Sequence, residues 1–141
     1  MTPSSKPTAG YSGTPLARKL GIKAGATVAL IDEPAEFRGL LEPLPDGVRF
    51  RTDLRAKPDL AIAFFTERSS LRSRLPALVR AIHPNGGLWL AWPKKASGMA
   101  TDLDGTAIRE LGLGAGVVDI KVAAISDIWS GHRFAHRVKD R

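Results

Sequence analysis

Short, wholly apolar runs alternate along this chain with segments whose apolar residues recur every three or four positions. The runs Thr27–Ile31, Leu60–Phe65 and Gly87–Trp92 have the length and continuity of strands buried on both faces. Val48–Thr52 instead alternates Val-Arg-Phe-Arg-Thr, the pattern of an edge strand with one wet face. Between the runs, Leu71, Leu75, Leu78, Val79 and Ile82 fall at helical spacing, from a Thr66/Ser69 start to a His83-Pro84-Asn85-Gly86-Gly87 stop. Pro76 lies inside that helix and is expected to kink or split it. Shorter helices are expected after Thr14-Pro15, where Thr14 caps and Gly21 closes, and after Asp32, with Glu33, Pro34 and Glu36 in the first turn. Another is expected from a Thr101 or Asp102 cap to about Leu111, ended by Gly112, Gly114 and Gly116. Val117–Ile128 and His132–Val138 flank Trp129-Ser130-Gly131, which suggests a hairpin turning at Ser130-Gly131.

Strands alternating with helices predict an α/β fold. The expectation is a small Rossmann-like, mostly parallel sheet with helices on both faces and a C-terminal antiparallel hairpin. Only seven residues, 53–59, join the second and third strands. A parallel crossover normally needs a dozen or more, so either the second strand is very short or its crossover is bare loop. Residues 1–10 lack apolar periodicity and are expected to be a disordered lead-in, with residues 11–141 forming one α/β domain.

Composition narrows the chemistry. The 141 residues include no cysteine, which excludes disulfides and thiolate catalysis and suits the cytoplasm. No run approaches a membrane span, and the first ten residues have no signal-peptide core. The net charge is +7, with 9 basic and 7 acidic residues in 1–60 and 12 and 7 in the remainder. A surplus spread this evenly is a solvated surface before it is a nucleic-acid tail.

At the first β-α turn, Ile31-Asp32-Glu33-Pro34-Ala35 has no glycine, and two carboxylates occupy the helix start. That excludes the pyrophosphate cradle of NAD, FAD or a P-loop nucleotide. Asp53 follows the second strand, 22 residues beyond Ile31, where nucleoside-binding folds place a ribose-holding acid. Without the glycines, it reads as a loop carboxylate beside Arg55 and Lys57. The three histidines make no metal site: His83 ends a helix, while His132 and His136 lie about 13 Å apart along one strand. Arg133, Arg137 and Lys139, with Arg68, Arg72 and Arg80, form basic stripes. Their neighbouring aromatics Phe64, Phe65 and Phe134 belong to the core rather than to a stacking surface.

The best site candidate is the loop after the strand 87–92. Lys94, Lys95, Ser97, Gly98, Thr101 and Asp102 bring two ammonium groups, a hydroxyl and free amides to the strand end where α/β ligands sit. Tyr11, Ser12 and Thr14 close over this loop if the N-terminal segment packs along the same edge. The expected ligand is a small anion or an acidic protein segment. No nucleophile-base pair is evident, so binding is expected rather than catalysis, with no cofactor and no metal.

Three segments, YSGTPLARKLGI, GGLWLAWPKKASGMATDL and AGVVDIKVAAISDIWSGHRF, together resemble the bacterial family known as domain of unknown function 3052. The resemblance spans Tyr11 to Phe134 and implies a small intracellular protein. It marks Lys94, Lys95, Ser97, Gly98, Trp129, Ser130 and Gly131 as family positions without giving them roles. A weaker likeness is to the later half of class I methyltransferases, carried by His83-Pro84-Asn85-Gly86-Gly87 before a strand and by the closing hairpin. The chain departs from that pattern at the glycine-rich loop for S-adenosylmethionine. The first alternative to a non-catalytic binding domain is therefore a degenerate or active methyltransferase-like enzyme. The second is a non-specific nucleic-acid binder.

Overall fold

The computed structural model describes residues 14–141. Its sheet has six strands: β1 (Thr27–Ile31), β2 (Arg49–Arg51), β3 (Leu60–Phe64), β4 (Gly87–Pro93), β5 (Val117–Ala124) and β6 (Trp129–His136). They lie in the order β2-β1-β3-β4-β6-β5. The first four are parallel, and β6 runs antiparallel to both β4 and β5. The fold is thus the expected Rossmann-like α/β sheet with an antiparallel hairpin at one side. Every residue of β3 and β4 is buried, as continuous apolar central strands must be. β2 is the expected edge strand, only three residues long, with Arg49 and Arg51 exposed. Both β2 and β3 pair with β1, and loop rather than helix carries the chain between them.

Among the described residues four α-helices cover the faces: α1 (Leu16–Lys19), α2 (Phe37–Leu40), α3 (Arg68–Ala81) and α4 (Gly105–Gly114). On one face α3 and α4 bury Leu71, Leu75, Leu78 and Ile108 against Leu88, Leu90, Trp92 and Phe134. On the other, α1 and α2 bury Ala17 and Phe37, with Leu20, against Val28, Leu30, Ile62, Phe64 and Trp89. Trp89 is the largest wholly buried side chain, and its indole donates to the Leu20 carbonyl at 2.8 Å, fastening the end of α1 to the sheet.

Several local expectations are corrected. Thr14 does not cap α1; Pro15 is the N-cap residue, in extended conformation, with no side-chain cap bond. Asp32 does not cap α2 either. It leaves β1 in the left-handed region (φ 57°), and the helix starts at Phe37 once the Pro34 turn is complete. Pro76 does not split α3, which runs on to Ala81. Thr101 and Asp102 do not cap α4. Asp104 does, accepting from the Ala107 amide at 2.8 Å. Gly112 does not end α4, which continues to Gly114. The hairpin does not turn at Ser130-Gly131, which lie inside β6 opposite Trp92 and Ala91. The turn comes earlier, where the Ser126 hydroxyl accepts from the amides of Ile128 and Trp129.

Candidate functional site

In a parallel sheet, the chain reversal between neighbouring strands opens a crevice at their carboxyl ends. Here the chain leaves β1 to form β2 on one side and returns to form β3 on the other, so the switch point lies between β1 and β3. Three carboxylates stand along this part of the edge. Asp32 is exposed at the exit of β1, and Glu33 pairs with Arg38 at 3.0 Å. Asp53 lies two residues past β2, half-buried, accepting from the Arg55 amide at 3.0 Å and 3.6 Å from the Arg51 guanidinium. The amide bond and the two arginines hold the Asp53 carboxyl below the usual aspartate range.

Further along the same edge is a cavity of about 690 Å³ at the end of β4. Trp92 and Pro93 form its wall, Lys94, Lys95 and Gly98 come from the loop, and Ser130 enters from β6. Asp102 and Asp104 also line it, so the cavity is of mixed charge rather than purely cationic. Of the residues expected to act together, Lys94, Lys95, Gly98, Thr101 and Asp102 do converge there. Ser97 does not line the cavity; its hydroxyl donates to the Lys94 carbonyl at 2.7 Å and accepts from Met99, closing the loop on itself. Thr101 and Asp102 carry fold duties as well. Thr101 donates to the Thr66 carbonyl at 2.6 Å, and Asp102 accepts from the Arg68 amide at 2.6 Å, supplying α3 with the cap its own sequence lacks. Thr14 is not among the lining residues, and Tyr11 and Ser12 lie outside the described residues.

Trp129 packs edge-on to Phe64, with centroids 5.1 Å apart. The Lys19 ammonium of α1 has its pKa lowered by burial and by the charges of Lys94 and Lys121.

Among the described residues no cluster of His, Cys, Asp or Glu can hold a metal, and no helix is long and apolar enough to cross a membrane. The His83 ring donates to the Asp140 carbonyl at 2.7 Å. His136 meets the Val79 carbonyl at 2.8 Å. His132 is buried and stacked on Phe134, with its Nε2 3.6 Å from the Asp119 carboxylate, an ionic contact when protonated but too long for a hydrogen bond. Burial lowers its pKa more than Asp119 raises it. The neutral ring is therefore favoured in the fold, and the unfolded chain takes up protons first. Stability should be full above about pH 6.5 and fall as the pH drops below that value towards the folded-state pKa. Urea titrations at pH 7.5, 6 and 5 should show this loss, and His132→Leu should flatten it; an unchanged slope in the variant would refute the assignment.

The architecture is that of Rossmann-like methyltransferases. A 1,6-didemethyltoxoflavin-N1-methyltransferase from Burkholderia thailandensis, solved with bound 1,6-didemethyltoxoflavin and S-adenosylhomocysteine, is similar with a TM-score of 0.52 and 14% identity. That match covers 84% of this chain and 73% of the other. A putative methyltransferase from Thermoplasma acidophilum gives 0.54 at 8% identity, covering 90% of this chain and 76% of the other. The magnesium protoporphyrin IX methyltransferase of Synechocystis, with bound S-adenosylhomocysteine, gives 0.50 at 10% identity, over 86% and 78%. No family model matches the chain, and no curated protein does. The expectation of a non-catalytic anion-binding domain centred on Lys94 and Lys95 is corrected by these likenesses, since the fold is the one these methyltransferase structures have.

Proposed function

We propose that this chain is a methyltransferase-like protein that takes an S-adenosyl nucleoside at the carboxyl ends of β1, β2 and β3. The observation that carries the reading is the carboxylate set around the β1/β3 switch point, on a sheet ordered β2-β1-β3-β4-β6-β5. The acids that exclude a dinucleotide do not exclude this ligand. S-adenosylmethionine has no phosphate; it carries a sulfonium and an α-ammonium, which carboxylates attract. Asp53, kept ionised by its neighbours, is suited to accept from both ribose hydroxyls. Asp32, exposed at the exit of β1, is suited to face the cationic part. Its left-handed backbone makes the sharp turn for which glycine is the usual residue. When bound, the ligand supplies an electrophilic methyl group. The mixed-charge cavity at Trp92, Lys94, Asp104 and Ser130 lies next along the edge and is the place for a polar methyl acceptor. Membership of the domain of unknown function 3052 family, resting on the WPKKASG and WSG elements, belongs to the same proposal.

Isothermal calorimetry with S-adenosylmethionine and S-adenosylhomocysteine tests it directly. Wild type should bind at least one of them in the micromolar range. Asp53→Ala should weaken that binding tenfold or more, since a charge-assisted contact is typically worth about 1.5–3 kcal/mol. Lack of saturation up to millimolar ligand, or binding indifferent to Asp53→Ala, would overturn the reading.

A further inference from the structure

The opposite edge of the sheet has the opposite charge. At the amino ends of β1, β3 and β4, two concavities of about 380 and 360 Å³ share Asn85 and Arg133. Lys121 and Arg141 line the first, and Lys23 the second. Arg133 comes from β6, directly opposite Lys121 of β5 and Trp89 of β4. Its guanidinium packs its face on Gly87 and its Nη1 end on Gly21: a Cβ at Gly87 would meet Nη2 at 2.7 Å, and one at Gly21 would collide with Nη1. One donor, Nη1, is spent on the Leu20 carbonyl at 3.3 Å. Arg141 is steadied by an Nε bond to the His136 carbonyl at 3.0 Å. Among the described residues no carboxylate pairs with Arg133, Lys121, Lys23 or Arg141. Among the described residues the one acid lining either concavity, Asp59, turns its Oδ2 to the Thr27 amide at 2.9 Å.

We propose that this amino-terminal edge is a second binding site, for the phosphate chain of a small polyphosphorylated ligand, held by Arg133 between Lys121 and Arg141. A planar guanidinium fixed against backbone with its other donors free recognises an oxyanion in two-point fashion. Three cations in one small concavity match an anion of several charges. Among the described residues no aromatic side chain lines either concavity, so these residues offer no platform on which the bases of a nucleic acid would stack. The site is independent of the S-adenosyl edge, and either can fail without the other.

Inorganic triphosphate is the probe, titrated into the whole protein by calorimetry, with inorganic phosphate and a single-stranded 20-nucleotide DNA as parallel arms. Saturable triphosphate binding is expected, tighter than phosphate and weakening with added salt. Lys121→Gln and Arg141→Gln should each weaken it about tenfold, whereas Lys94→Gln should leave it unchanged. Arg133→Gln should abolish it; if that variant fails to fold, the two exposed positions carry the test, with thermal melts confirming that they fold. Lack of saturable triphosphate binding would overturn the proposal. So would binding that Lys121→Gln leaves intact, or affinity found only for the DNA.

Discussion

Trp89→Ala should cost about 3–5 kcal/mol of unfolding free energy, among the largest losses available to a single substitution in this chain. The indole is wholly buried in the middle of β4, with Leu20, Ala91 and Gly131 around it. Truncation opens a large cavity at the centre of the face that α1 covers. It also removes the bond to the Leu20 carbonyl, leaving that oxygen only the longer one from Arg133. A two-state urea titration should show the midpoint falling with an unchanged slope, and the melting temperature should fall by on the order of 10 °C or more. Trp89→Phe separates the two terms, because it keeps most of the volume and loses only the donor. If Trp89→Ala costs under about 1 kcal/mol, the packing of α1 on β4 is not as described.

Strand interiors were legible in the sequence because a strand buried on both faces has only one way to be written. Leu60–Phe64 and Gly87–Pro93 are apolar throughout, and both are central. The short edge strand was legible from Arg49 and Arg51, whose charges need water on one side. What failed was the assignment of small polar residues to turns and caps, because their partners are remote in sequence. Asp102 caps a helix that begins 34 residues earlier, and Thr101 bonds Thr66 across a gap of 35. No local pattern contains that information. The two residues after Trp129 have the composition of a turn, but pairing with β4 and β5 draws both into β6.

The site was half legible. The β4 loop was placed correctly on the carboxyl edge, and five of its expected residues do line one cavity. Its charge was misjudged because Asp104, absent from the expected set, joins Asp102 in lining that cavity with the lysines. The carboxylates at the β1 exit repel a phosphate but attract a sulfonium, so reading them as a bar to every nucleoside cofactor overlooks that difference in charge. Arg133 stood in a basic stripe with no further role, since its contacts with Gly21, Gly87 and Leu20 all lie at least 46 positions away. The sheet thus presents acids at the β1 and β2 exits and uncompensated cations at its amino edge. An even distribution of charge along the chain conceals that division.

Gly112→Ala should destabilise the protein, although alanine is the better helix former by about 1 kcal/mol. At an exposed interior position of α4 the exchange would be favourable. Gly112, however, is buried where α4 crosses β6, and a Cβ there would run into the ring of Phe134, whose Cδ2 would be only 2.8 Å away. That ring has no room to withdraw, since it is wholly buried and stacked on His132 with centroids 4.6 Å apart. Either α4 lifts from the sheet or the ring leaves its rotamer, and overpacking of this kind typically costs about 1–3 kcal/mol. The net change should therefore be a loss of on the order of 1–2 kcal/mol, opposite in sign to propensity. Gly114→Ala, two residues along and with open space around its Cα, supplies the contrast and should be neutral or stabilising. Phe134→Leu should partly rescue Gly112→Ala, because it removes the ring edge that the new methyl group meets. Chemical denaturation of the two glycine variants and the double variant measures both the sign and the coupling. Equal effects at positions 112 and 114, or the absence of coupling to Phe134, would mean that Gly112 is not the point at which the helix touches the sheet.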